Sequence, residues 1–135
     1  MRSLTLTFKN SKKSSCRINF FVYATQYSMC RAGNRIKVPK RYGQMSSKTK
    51  GSCFYTEPDL EKGWASCEIF LNRNDMGAGY LSHEIFHAII RFMNVIYPNK
   101  RIIDDQRRNE KAAWLMEEIT RQFWNWWYEE DEKDA

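Results

Sequence analysis

The chain has 135 residues, 42% of them hydrophobic and 15% aromatic, which is enough to bury one core and short for two ordinary domains. No apolar run approaches the roughly 20 residues that span a bilayer, and Ile18 to Ala24 is too short and too far from the start to serve as a secretion signal, so no membrane partner is expected. The net charge of +6 hides an asymmetry: residues 1–50 carry twelve Lys and Arg and no Asp or Glu, while the remaining 85 carry ten basic and sixteen acidic residues. Such a basic half predicts contact with nucleic acid or an acidic partner, unless it docks on the chain's own acidic half or serves only to keep the protein in solution.

Leu4 to Phe8 alternates apolar and polar residues in the manner of a half-buried strand, and Lys9 to Ser15 reads as a polar turn. Arg17 to Ala24, rich in β-branched and aromatic residues, predicts a second strand, with a helix running through Gln26 and Met29 as the alternative. Gly33-Asn34 signals a turn, and Arg35 to Val38 reads as a short strand ended by Pro39. Residues 40–52 read as a mobile basic loop, Cys53 to Tyr55 as another strand, and Trp64 to Leu71 as the clearest strand of the chain. A turn with two glycines, Asn72 to Gly79, then leads into a helix expected over Tyr80 to Tyr97 and stopped by Pro98. Lys100 to Arg108 reads as a polar connector. A last helix is expected over Asn109 to Tyr128, with Trp124, Trp126 and Trp127 turned to the core, and an acidic tail, 129–135, is expected to fray. Strands first and two long helices after them predict an α+β fold, a small and mainly antiparallel sheet followed by two packed helices. The expected organisation is one domain over 1–135, with a basic β-rich half (1–75), a helical half (76–128) and the acidic tail.

Cys16, Cys30, Cys53 and Cys67 form no C-x-x-C pair, so a structural zinc ribbon has no support and free, partly buried thiols are expected. Free thiols without a secretion signal predict a cytoplasmic protein.

The two histidines of the chain, His83 and His87, flank Glu84 in the run His83-Glu84-Ile85-Phe86-His87, an H-E-x-x-H motif on the first long helix. Residues four apart share one helix face, so both imidazoles can reach one metal ion. Glu84 projects about 100° away, where it can take a proton from a water at that ion. Two imidazoles and a carboxylate within one turn point to a Zn2+ site with Glu84 as general base. The alternative is two polar residues on the exposed edge of a core helix.

A catalytic zinc takes three protein ligands and keeps one position for water. With no third histidine, the ligand is expected to be a carboxylate or a thiolate, and the last helix offers Glu110, Glu117 and Glu118. Glu110 and Glu117 fall together on the helical wheel at one edge of the apolar stripe, and Glu118 falls on the other. Ala113, one turn from Glu110, allows close approach of the two helices, which selects Glu110 and leaves Glu117 in reserve.

Leu81 to Ala88 followed by Asn109-Glu110-Lys111-Ala112-Ala113-Trp114 resembles the gluzincin metallopeptidases, and more closely the small H-E-x-x-H proteins encoded by phages and prophages. The resemblance covers roughly the last 55 residues. It implies a minimal zincin-like fold, a zinc-dependent peptidase acting on a protein or peptide, His83, His87 and Glu110 as zinc ligands and Glu84 as general base. For a phage-encoded chain it implies the host cytoplasm. Trp114 departs from the pattern, standing where larger gluzincins often carry an acidic residue. The strand segment Glu68 to Asn72, just before the motif helix, is expected to offer its edge to an extended peptide. A second reading is a non-catalytic nucleic-acid- or protein-binding protein with a structural or vestigial metal site.

Overall fold

Alternation of apolar residues along two strands builds the centre of the molecule. In the computed structural model, which describes residues 1–11, 14–35, 45, 49–55, 64–77, 79–97 and 106–134, β1 (Arg2–Ser11) and β2 (Ser14–Tyr23) are followed by a helix, α1 (Gln26–Asn34). Then come β3 (Gly51–Tyr55), β4 (Trp64–Asn72), α2 (Tyr80–Ile96) and α3 (Gln106–Asp134). The strands form one sheet in the order β1-β2-β4-β3. The β1–β2 and β3–β4 pairs are antiparallel, whereas β2 and β4 run parallel with α1 and β3 between them in sequence. The fold is a small α+β domain of mainly antiparallel pairing.

The pleat sorts side chains by parity. Cys16, Ile18, Phe20 and Val22 of β2 and Ala65, Cys67, Ile69 and Leu71 of β4 face one side, where α2 and α3 cover them. On α2, Leu81, Ile85, Ala88, Ile89, Phe92 and Met93 recur at helical spacing and are buried; on α3, Leu115, Ile119, Phe123 and Trp127 do the same. Phe123 lies at the centre, its ring 4.9 Å from that of Phe20. The other sheet face carries Phe21, Tyr23 and Phe70, on which Met29 of α1 and Met45 pack as a second core.

Helix α1 is the element outside the expected pair. Its start is encoded by Thr25, whose hydroxyl accepts the Ser28 backbone N–H at 3.1 Å and caps the first turn. The strand ends at Tyr23, and the helical alternative holds from Gln26. Arg35 is the helical C-cap, and the rest of the expected strand, 36–38, lies outside the described residues. Within the stretch expected to be mobile, Met45 is buried and clamped: its backbone N–H donates to Asn34 Oδ1 at 2.8 Å and its carbonyl accepts from Asn34 Nδ2 at 3.0 Å. Gly33 permits this approach, since a Cβ there would stand 2.1 Å from the Met45 sulfur.

Two further expectations are corrected. β4 is an inner strand, hydrogen-bonded to β2 on one side and β3 on the other, so the Glu68 to Asn72 segment has no open edge; β3 is the edge strand on that side of the sheet. The acidic tail continues α3 to Asp134 rather than fraying after Tyr128, in keeping with the high helix propensity of its Glu and Lys residues.

Trp127 is buried, and Trp124 and Trp126 pack against the core half-buried. All four cysteines are free thiols.

Candidate metal centre

The turn before α2 fixes where the motif begins. Asn72, buried at the end of β4, accepts the Asn74 N–H at 3.1 Å and donates to Asp75 Oδ2 at 2.9 Å. The Arg73 N–H donates to the Tyr23 carbonyl at 2.9 Å, and Met76 plugs into the core. Gly79 then adopts φ +88°, a left-handed conformation that strains any side-chain-bearing residue. From there α2 starts, with the His83 N–H bonded to the Gly79 carbonyl at 2.9 Å.

One turn into that helix, the Nε2 atoms of His83 and His87 stand 3.1 Å apart with both side chains exposed. Two nitrogens at tetrahedral corners around one zinc, each at about 2.05 Å, would be separated by roughly 3.3 Å, so the pair is spaced as two ligands of one ion need. The same spacing lets the rings share a hydrogen bond when one Nε2 carries the proton. Burial, and then the neighbouring His83 charge, hold the His87 pKa below its ordinary value. Both effects favour the neutral imidazole, the form that ligates metal.

Glu84 turns the other way. The residue is 7% exposed, and burial pushes its pKa up to about 7. It packs beneath β3: a Cβ added at Gly51 would meet Glu84 Cγ, Leu71 Cδ2 and the Phe70 carbonyl oxygen at 3.3 Å each. Gly51 is thus part of the site, and no sequence signal identifies it, because a glycine at a strand end has many uses. Cys53, also on β3, is half-buried; its hydrogen bond with Cys67 and then burial push its thiol well above the ordinary range. Burial likewise raises Cys16 to about 12, so these thiols stay protonated and are poor nucleophiles.

The structure brings His83 and His87 together, leaves Glu84 on the buried side of the same helical turn, and does not bring a glutamate of α3 to the pair. Glu110 and Glu117 are exposed on α3. The buried face of that helix is defined by Arg108, Leu115, Ile119 and Phe123, and both glutamates sit about 160° from its centre rather than at its edge. Helices α2 and α3 run antiparallel, with the Arg108 guanidinium 6.0 Å from the Tyr97 ring at one end and that of Arg73 5.8 Å from the Trp127 ring at the other. With a rise of about 1.5 Å per residue, Glu110 then lies roughly 12 Å along the axis from His87, and Glu117 nearly level with it. Glu118 is engaged by Arg121 and Gln122. Among the described residues, no group of three His, Cys, Asp or Glu side chains is assembled for a metal. Trp114 is half-exposed, with the Lys111 ammonium 4.6 Å from its ring centroid.

Among the described residues no helix is long and apolar enough to cross a membrane. Comparisons with protein-family models, with curated proteins and with solved structures each find no match to this chain.

Proposed function

We propose that this chain is a zinc-dependent peptidase. The observation that carries the reading is the His83–His87 pair, with nitrogens 3.1 Å apart, beside a buried glutamate whose pKa is raised to about 7. His83 and His87 would hold the metal, with a third ligand from α3: Glu110, implied by the resemblance to gluzincins, or Glu117, the shorter reach. Zinc bound there would supply Lewis acidity toward a water and the scissile carbonyl. Glu84 takes the proton of the attacking water and delivers it to the leaving amine. A base with a pKa near neutrality suits both halves of that transfer. Among the described residues β3 is an edge strand, and its outer edge, beside the face where Glu84 packs at Gly51, is where an extended peptide substrate would add as a further strand.

Zinc content per chain and cleavage of unfolded protein substrates test the proposal together. Glu84→Gln is expected to keep zinc and lose hydrolysis, and the double variant His83→Ala, His87→Ala to lose both. Full zinc retention by the double variant would refute the metal assignment, and full activity of Glu84→Gln would refute the base.

The second reading, a binding protein with a structural or vestigial metal site, draws support from the exposure of both histidines and of Glu110 and Glu117. It predicts partner binding that is indifferent to Glu84→Gln.

A further inference from the structure

The peptidase reading leaves the basic first half of the chain without a role, and among the described residues Lys9, Arg17, Arg31 and Arg35 of that half are exposed on the side of the sheet away from α2 and α3. Helix α1 lies on the sheet face away from α2 and α3, seated by Met29 and Gly33. Tyr27, Arg31 and Arg35 follow one another at four-residue spacing, so they form a stripe on the side of α1 turned away from that seat. All three are exposed, Tyr27 by 73%. With Cys30 and Asn34 they line an open depression on the surface.

We propose that this stripe is a docking surface for single-stranded nucleic acid, with Tyr27 stacking on a base and Arg31 and Arg35 bonding to phosphates. Charge supports a polyanion. No Asp or Glu precedes Glu57 in the sequence, and among the described residues neither Arg31 nor Arg35 forms an ion pair. Lys9 and Arg17 are exposed and continue the basic surface across the same sheet face, where Glu68 is half-buried. A basic residue near a helix C-terminus complements the helix dipole, but the dipole gives no reason to hold a tyrosine ring in water one turn before Arg31. An aromatic ring interleaved with guanidinium groups is the combination that takes a flexible strand, stacking with its bases while pairing with its backbone. A lipid surface would need an apolar stripe, and the outward positions Tyr27, Arg31, Asn34 and Arg35 include no aliphatic residue.

Fluorescence anisotropy of the full chain with a labelled oligothymidylate of about 20 nucleotides tests this, using polyglutamate and phosphatidylserine vesicles as competitors. Binding is expected to weaken with salt, and the double variant Arg31→Ala, Arg35→Ala should flatten the log–log salt dependence by about 1.4, roughly 0.7 for each single-strand phosphate that is no longer neutralised. Tyr27→Ala should weaken binding about tenfold without changing that slope, and Tyr27→Trp should restore it. The double variant His83→Ala, His87→Ala should bind as well as the wild type, which separates this surface from the metal site. Circular dichroism melts confirm that each variant folds. No oligonucleotide binding at about 50 mM salt would overturn the proposal, as would binding unchanged in a folded Tyr27, Arg31 and Arg35 triple alanine variant. Stronger capture by the vesicles or by polyglutamate would overturn it in favour of a lipid or an acidic-protein surface respectively.

Discussion

Replacing Glu84 by Gln should make the zinc-free protein more stable at neutral to alkaline pH while removing its catalytic base. The carboxyl titrates near 7 in the folded chain against 4.5 ordinarily, because burial disfavours its charged form. An acid whose pKa is higher folded than unfolded binds its proton more tightly when folded. Its stabilising contribution is therefore complete below about 4.5, declines as pH rises toward 7, and is gone above that. At about 1.4 kcal/mol per unit, the ionised carboxylate costs the fold about 3 kcal/mol at pH 8 relative to its protonated form. Gln has nearly the shape of protonated Glu and cannot ionise, so the variant escapes that cost. Urea unfolding in the presence of a chelator should show wild type and Glu84→Gln with a constant difference below pH 4.5. Between pH 5 and 8 the variant should gain about 2–3 kcal/mol, equivalent to a Tm rise of about 10 °C. Zinc should shrink that gap, since a cation beside the carboxylate holds it ionised. A difference that stays flat from pH 5 to 8 in chelator would refute the buried, neutral-poised glutamate and with it the argument for its role as base.

Three other outcomes are expected. If height along the helix decides the third ligand, Glu117→Ala should weaken zinc binding at least tenfold in a competition titration and Glu110→Ala should not; the reverse would favour the ligand that the gluzincin resemblance implies. Gly51→Ala should cost about 1–2 kcal/mol in chemical denaturation, because its methyl group would press on Glu84, Leu71 and the Phe70 carbonyl at 3.3 Å, and an unchanged midpoint would contradict that packing. Phe123→Ala should cost about 3–5 kcal/mol, given its position between Phe20 and the tryptophans of α3, and a destabilisation under about 1 kcal/mol would mean that α3 is not seated as described.

The sequence by itself determined what depends on short-range periodicity. The alternation of Cys16, Ile18, Phe20 and Val22 and of Ala65, Cys67, Ile69 and Leu71 encodes two strands that share the face turned to the main core. The spacing of Leu81, Ile85, Ala88, Ile89 and Phe92 encodes α2, and with it the convergence of His83 and His87 four residues apart. Helix α1 was half-legible: Thr25 and Ser28 form a cap signal, but the β-rich run before it outweighs a nine-residue helix. Only tertiary structure decided the strand order. Pairing β4 with β2 in parallel closes it on both sides and leaves β3 at the edge, and such pairing depends on contacts far apart in sequence that no local pattern carries. The same holds for the environment of Glu84, whose raised pKa comes from burial under Gly51, a residue 33 positions away in the chain. A helical wheel drawn for α3 alone could not place Glu110 or Glu117 relative to the histidines, because that depends on how α2 and α3 pack against each other and on which residues of each helix lie side by side.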